Sequence, residues 1–421
     1  MFPFQNDLKH CLPEGGTSPI MDFDRAIQRV GTDSVKHDGC TDYFGTPDVL
    51  PLWVADMDFA APEAITQALL ARAAHPIYGY SRYPAAMFEA LIGWMRQRHG
   101  WQIERDWVLP APGVVPSLHA AVLAFAAAGE GVIVQPPVYF PFFSAVTATG
   151  RRLIENPLRL HDGLYEMDFE HLEQCAKDAC LLLLCSPHNP VGRVWTRDEL
   201  VQVLDIAVRY DLVVLSDEIH HDLIYPGQHH LVLAKLAEEL AIDPAHVVTA
   251  AAPSKTFNIP GLGLSVLISP DPEQRAALTK AFDLLHAGNY NPFSSAAFVA
   301  GYQHGSVWLD ALMLYLAQTR DYVTDFTQRN LPGIRVIEPD GTYLLWLDCR
   351  ELCRERGWND VALKRFFVEQ AKVGMNPGPV FGSGGSGFMR MNIGTPRVVI
   401  ETALKLIMAA LEAAPPRSAT S

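Results

Sequence analysis

An amide, a carboxylate and a lysine each stand just past a short apolar run, where a buried strand would end. Asn189 lies in Ser186-Pro187-His188-Asn189-Pro190-Val191-Gly192, after Leu181–Cys185. Asp217 lies in Ser216-Asp217-Glu218-Ile219-His220, after Leu212–Leu215, and Lys255 lies in Ala252-Pro253-Ser254-Lys255-Thr256-Phe257-Asn258, after Val247–Ala251. Ala111-Pro112-Gly113-Val114-Val115 opens a helical stretch that begins near Pro116. In open α/β sheets ligands gather at the carboxyl ends of the strands, so one rim would hold all of these. A lysine whose pKa is lowered by burial is a nucleophile and a base. A carboxylate can keep a proton on a heteroaromatic nitrogen, and a helix N-terminus can hold phosphate. Taken singly, each residue has a plainer reading as a helix cap, a surface charge or a turn. Their order, each after its own apolar run, makes coincidence a poor account.

That set meets the needs of pyridoxal 5′-phosphate. Lys255 would form its Schiff base and act as the catalytic base. Asp217 would pair with the ring nitrogen, and Asn189 would donate to the ring oxygen. Ser254 and the backbone N–H groups of Gly113, Val114 and Val115 would hold the phosphate, and Tyr139 would lie on the ring face.

Strands and helices alternate around these residues. The runs Gly131–Val134, Leu181–Cys185, Leu212–Ser216, Val247–Ala251 and Leu264–Ser269 read as strands buried on both faces. Helices are expected over Pro116–Ala128, Asp168–Asp178, Thr196–Tyr210 and Pro272–His286, with Thr196 and Glu199 forming a capping box. The pattern predicts an α/β layer with a mostly parallel sheet. Beyond about residue 300 the rhythm changes to a long helix (Val307–Asn330), strands at Gly341–Asp348 and Phe388–Asn392, and helices at Asn359–Lys372 and Pro396–Ala413. The division expected is an arm over 1–20, a segment over 21–60 that joins the small domain, a large domain over 61–300, a smaller α+β domain over 301–413 and a disordered tail over 414–421.

The 421 residues carry 49% apolar residues, ample for a large core. A net charge of −14 argues against a nucleic-acid partner. No apolar run approaches the roughly 20 residues of a membrane helix, and residues 1–20 lack the apolar stretch of a secretory signal. Seven cysteines with no CxxC pair read as free thiols in a reducing compartment, hence a cytoplasmic protein.

The strings around Asn189, Asp217 and Ser254-Lys255, with Phe388-Met389-Arg390-Met391-Asn392-Ile393-Gly394, resemble fold-type I pyridoxal-phosphate enzymes of the class I/II aminotransferase family. The resemblance implies a large domain with a mostly parallel seven-stranded sheet sandwiched by helices, plus a smaller α+β domain. It places Arg390 on the substrate α-carboxylate, beside Asn189, and implies a homodimer with shared active sites. Leu52-Trp53-Val54-Ala55-Asp56-Met57-Asp58-Phe59 and Tyr78-Gly79-Tyr80-Ser81-Arg82 look like segments of the cystathionine β-lyase, or C–S lyase, branch. Ala55 would then face substrate, and Tyr80 would reach the cofactor phosphate of the neighbouring subunit. His220 stands where many transaminases carry a tyrosine donor to the ring oxygen. Gly263 replaces a phosphate-binding arginine, which leaves more of that task to Ser254, Tyr80 and backbone amides. The implied reaction is β-elimination from cystathionine or a related cysteine S-conjugate, with transamination at the same site as the alternative. Two other motifs invite weaker readings. Gly382-Ser383-Gly384-Gly385-Ser386-Gly387 lacks the lysine and helix of a phosphate loop. His220-His221 and His229-His230 lack metal-ligand spacing on one helix, so no metal is expected.

Overall fold

The computed structural model describes residues 21–287 and 291–413; the expected arm over 1–20 and tail over 414–421 lie outside them. Continuous apolar runs here form strands covered on both faces. Ala179–Cys185, Val213–Asp217 and Val247–Ala251 sit at the centre of a seven-stranded sheet. The order across the sheet is Val108–Ala111, Ser265–Ile268, Val247–Ala251, Val213–Asp217, Ala179–Cys185, Gly131–Val134, Arg152–Glu155. Ser265–Ile268 runs antiparallel to both neighbours and all other pairs are parallel.

Register then fixes where the next residues emerge. Cys185 pairs with Asp217, and Asp217 with Ala250. The ladder continues one step further, because Ser186 N–H donates to Asp217 O at 2.9 Å and Glu218 N–H to Ala250 O at 2.8 Å. The strands carrying Asn189, Asp217 and Lys255 therefore end level. Helices pack against the sheet, among them Val114–Phe125, Arg197–Arg209 and Pro272–Leu284. The Arg197–Arg209 helix starts at a complete capping box, Thr196 with Glu199, a device that contributes about 1 kcal/mol.

After the 25-residue helix Ser306–Asn330 comes a second sheet, ordered Arg335–Ile337, Leu344–Asp348, Phe388–Asn392, Asn376–Pro377 and antiparallel throughout. The early strand Leu50–Pro51 pairs in parallel with Val373–Gly374, so the N-terminal segment is bound to late sequence. The Gly/Ser stretch is not a phosphate cradle. A Cβ on Gly378 would collide with the Gly385 carbonyl, so this backbone-on-backbone turn needs glycine and leads directly into the strand of Arg390. Among the described residues no helix is long and apolar enough to cross a membrane, and the described cysteines are all free thiols.

Candidate active site

Lys255 sits in the short helix Pro253–Thr256, just past the Val247–Ala251 strand. Its Nζ donates to Ala55 O at 2.6 Å, and the same carbonyl accepts from Tyr343 Oη at 2.8 Å. Ala55 belongs to a segment held by Asn258, whose Oδ1 accepts Met57 N–H and whose Nδ2 donates to Met57 O and Phe59 O, each at 2.8 Å. Burial pushes the Lys255 ammonium down to about 8. The negative charge of Asp56 opposes this, Arg390 adds to it and Asp217 opposes it. The amine is thus available near neutral pH, as a nucleophile and base requires.

Asp217 and Lys255 line one cavity of about 210 Å³, together with Gly113, Val114, Val115, Tyr139, Asn189, His220, Ser254, Ala55 and Gly263. Burial raises the Asp217 carboxyl to about 7; the Ile219 N–H, which donates at 3.2 Å, opposes the shift, Glu218 adds to it and Lys255 opposes it. An acid buried with, among the described residues, one hydrogen bond and no salt bridge is set to meet a cationic group inside the cavity. His220 is driven down to about 3 by burial, with the charges of Lys255 and Arg390 adding, so its imidazole is neutral. Its Nδ1 is buried without a partner.

The helix Val114–Phe125 begins at the cavity wall with no side-chain cap. Its first N–H groups are therefore available to an anion. Gly263, in the left-handed region at φ 48°, places its backbone on the same wall. A Cβ there would lie 3.3 Å from Pro112 O, so a side chain is both strained and crowded.

Arg390 does not line the cavity itself but reaches its edge through Asn189. Its Nη1 donates to Asn189 Oδ1 at 3.1 Å, and its Nη2 donates to Asn376 Oδ1 at 2.8 Å and Trp53 O at 2.9 Å. The guanidinium lies 4.9 Å from the Phe381 ring centroid. It is 2% exposed, its Nε has no partner, and among the described residues no carboxylate forms an ion pair with it. Burial lowers it to about 10. A buried cation with no counter-ion and a free N–H is a receptor for an anion. The Asn189 contact also orients that amide, since Oδ1 is occupied and Nδ2 is left to donate. The Tyr139 N–H donates to Asn189 O at 3.0 Å, fixing the aromatic ring's backbone beside the amide.

The structure brings every candidate residue to this cavity or its rim except Tyr80, which is fully exposed and outside the cavity of its own chain. Sequence reasoning missed Tyr343, Asn376 and the Trp53 carbonyl. Tyr343 stands just before a core strand and reads as core, and a carbonyl carries no sequence signal at all.

This arrangement meets the demands of pyridoxal phosphate on observations of the chain itself: a buried lysine of lowered pKa, an acid across the cavity, and an uncapped helix N-terminus. The family described as aminotransferase class I and II matches residues 47–407. The cystathionine beta-lyase PatB of Bacillus subtilis (strain 168) is 42% identical over 93% of this chain and 100% of its own. Protein MalY of Escherichia coli (strain K12) is 34% identical over 94% of this chain and 100% of its own. The crystal structure of cystalysin from Treponema denticola, which contains a pyridoxal 5′-phosphate cofactor, is similar with a TM-score of 0.89 and 37% identity, over 94% of this chain and 99% of its own. These similarities extend over most of the length, and the chain belongs to the class I and II aminotransferase family, with the fold-type I architecture.

Proposed function

We propose that this chain is a pyridoxal-phosphate-dependent C–S β-lyase that converts cystathionine, or a related cysteine S-conjugate, and water to a thiol, pyruvate and ammonia. The observation that carries the reading is the meeting of Lys255 and Asp217 in one cavity with the free helix N-terminus at Val114. Bound there, the cofactor supplies an aldehyde that captures amino groups covalently and a protonated ring that withdraws electrons from the substrate Cα. Asp217 would hold that ring proton, Asn189 Nδ2 and the neutral His220 would serve the ring oxygen, and Tyr139 would lie against the ring. Ser254 and the Gly113–Val115 backbone hold the phosphate. Arg390 binds the substrate α-carboxylate and so orients the Cα–H bond. Lys255 Nζ then removes the Cα proton, and the sulfur leaves Cβ as a thiolate.

Tyr80 is fully exposed and outside the cavity of its own chain, which supports a homodimer in which it reaches the neighbouring subunit's phosphate; a cytoplasmic location rests on the free described cysteines. The lyase reading is tested by incubating holoenzyme with cystathionine and no added keto acid. Stoichiometric pyruvate and thiol are expected; turnover that depends on a keto acid would instead make the protein a transaminase.

Two quantitative outcomes follow. Below its pKa the Lys255 amine carries a proton and cannot attack an aldehyde. Cofactor-stripped protein should therefore recapture pyridoxal phosphate at a rate that climbs with pH and levels off above about 8, measured by stopped-flow absorbance. An unshifted lysine, at 10.5, would carry the climb on beyond pH 10. Replacing Arg390 with alanine removes a charge-assisted contact of about 1.5–3 kcal/mol. The KM for cystathionine should rise roughly 10- to 100-fold with a smaller change in kcat; an unchanged KM would remove Arg390 from the substrate.

A further inference from the structure

The paired histidines of the sequence divide between two cavities. His220 lines the cofactor cavity, while His221, His230 and His99 meet at a different cavity of about 490 Å³ that the exposed His229 also lines. Glu218 and Asp222 lie among these three imidazoles. The five side chains are 0–6% exposed. The ring centroids of His99 and His221 are 4.3 Å apart, and those of His221 and His230 are 6.0 Å apart.

The hydrogen bonds in this cluster do not close. Among the described residues, neither ring nitrogen of His221 has a hydrogen-bond partner. Its Nε2 is 3.2 Å from Asp222 Oδ2 but out of line for a hydrogen bond. His230 places Nε2 2.8 Å from Glu218 Oε2, while its buried Nδ1 has no partner. Buried polar atoms left unpaired are costly, so such a site calls for an occupant. The carboxylates differ in what they can offer one. Asp222 Oδ1 accepts from Trp94 Nε1 and sits 2.9 Å from His99 Nε2, and its Oδ2 accepts from Thr256 Oγ1. In Glu218, Oε1 accepts from Ser216 Oγ and from the Leu233 N–H, at 2.9 and 3.0 Å, which leaves Oε2 facing the imidazoles. A carboxylate anchored through one oxygen and presenting the other is how outer partners orient a metal ligand.

We propose that Glu218, His221 and His230 form a site for a divalent transition-metal ion of the zinc class, with His99 and Asp222 as its outer shell. The donor atoms of the triad all lie within 4.8 Å of one another, close enough for one ion to bridge them. Two imidazoles and one carboxylate are a zinc-type donor set, and the adjoining cavity supplies the open fourth position. Glu218 directly follows Asp217, and Asp222 is bonded to Thr256, the residue after Lys255. An ion here braces the two segments that carry the acid and the lysine, without entering the cofactor cavity.

The test is equilibrium dialysis of untagged, chelator-treated holoenzyme against Zn²⁺, with elemental analysis and a thermal melt. Wild type and His229→Gln should each take up about one Zn²⁺ per chain and melt at a higher temperature when loaded. In His221→Gln and His230→Gln the affinity should fall at least about tenfold and the melting shift should vanish. Among the described residues the His221 side chain has no hydrogen-bond partner, so its glutamine variant should fold; His230→Gln gives a second reading should it not. Absence of stoichiometric uptake by wild type, as expected of water alone in the cavity, would overturn the proposal. So would uptake that survives both triad variants or disappears only in His229→Gln.

Discussion

Replacing Lys255 with alanine is expected to cut pyruvate release from cystathionine by about 10⁴-fold or more. The group lost is both the amine that captures the cofactor and the base at Cα, and general-base catalysis alone is worth 10²–10⁴-fold. The variant should still fold. Alanine suits the Pro253–Thr256 helix, and the only hydrogen bond removed is the one to Ala55 O, which keeps its bond from Tyr343. Asp217, Asn189 and the Val114 helix N-terminus also remain, so the variant should bind pyridoxal phosphate without a covalent link, released on dialysis. Turnover near the wild-type rate would refute the assignment of Lys255 and the mechanism with it.

Asp217→Asn should produce the second largest loss, about 10²–10³-fold in kcat/KM, the range for removing one preorganised electrostatic group. The amide matches the carboxylate in shape, and its oxygen can still accept the Ile219 N–H. What disappears is the negative charge that holds a proton on the ring nitrogen. With pyridoxal phosphate in excess, the intact Lys255 amine should keep cofactor content near one equivalent while turnover falls, although without excess the variant should hold it less tightly. A variant with undiminished kcat/KM would show that ring protonation does not depend on Asp217. Because burial sets the Asp217 carboxyl to about 7 in the empty cavity, cofactor retention in the wild type should weaken as pH falls below 7 and the acid becomes neutral. The asparagine variant should lack that dependence.

The site was legible where chemistry follows a buried strand. Val247–Ala251 forms over the expected residues, because a short, nearly apolar run with turn residues after it has one good solution in a covered sheet, and Phe388–Asn392 forms over the expected residues although it carries Arg390 and Asn392. Asn189, Asp217 and Lys255 inherit their positions from such runs. The edge strands were not legible. Val108–Ala111 contains Pro110, and Arg152–Glu155 carries charged residues at both ends; a half-covered edge tolerates both. Three helices near the N-terminal and central regions, Glu63–Ala73, Ala85–His99 and Pro292–His304, also gave no clear sequence pattern. The helix expected over Asn359–Lys372 is instead an α-helix at Asp360–Arg365 that widens to a π-turn at Phe366–Gln370. Local periodicity does not distinguish these, and packing of Phe366 and Phe367 into the core decides it. His99, His221 and His230 escaped for a further reason: residues far apart in sequence meet only after the Ala85–His99 helix docks.

The hold of late sequence on the early segment bears on how the enzyme comes into being. Arg390 and Asn392 bind the carbonyls of Trp53, Val54 and Asp56, and the neighbouring Ala55 carbonyl positions the nucleophile. During synthesis the lysine and its central sheet leave the ribosome well before those two side chains exist. Until then Asn258 holds that segment only at Met57 and Phe59, and the Arg390 and Asn392 contacts to Trp53, Val54 and Asp56 are missing. The amine is therefore fully aimed only once the last strand of the second sheet has been made and has docked on the early segment.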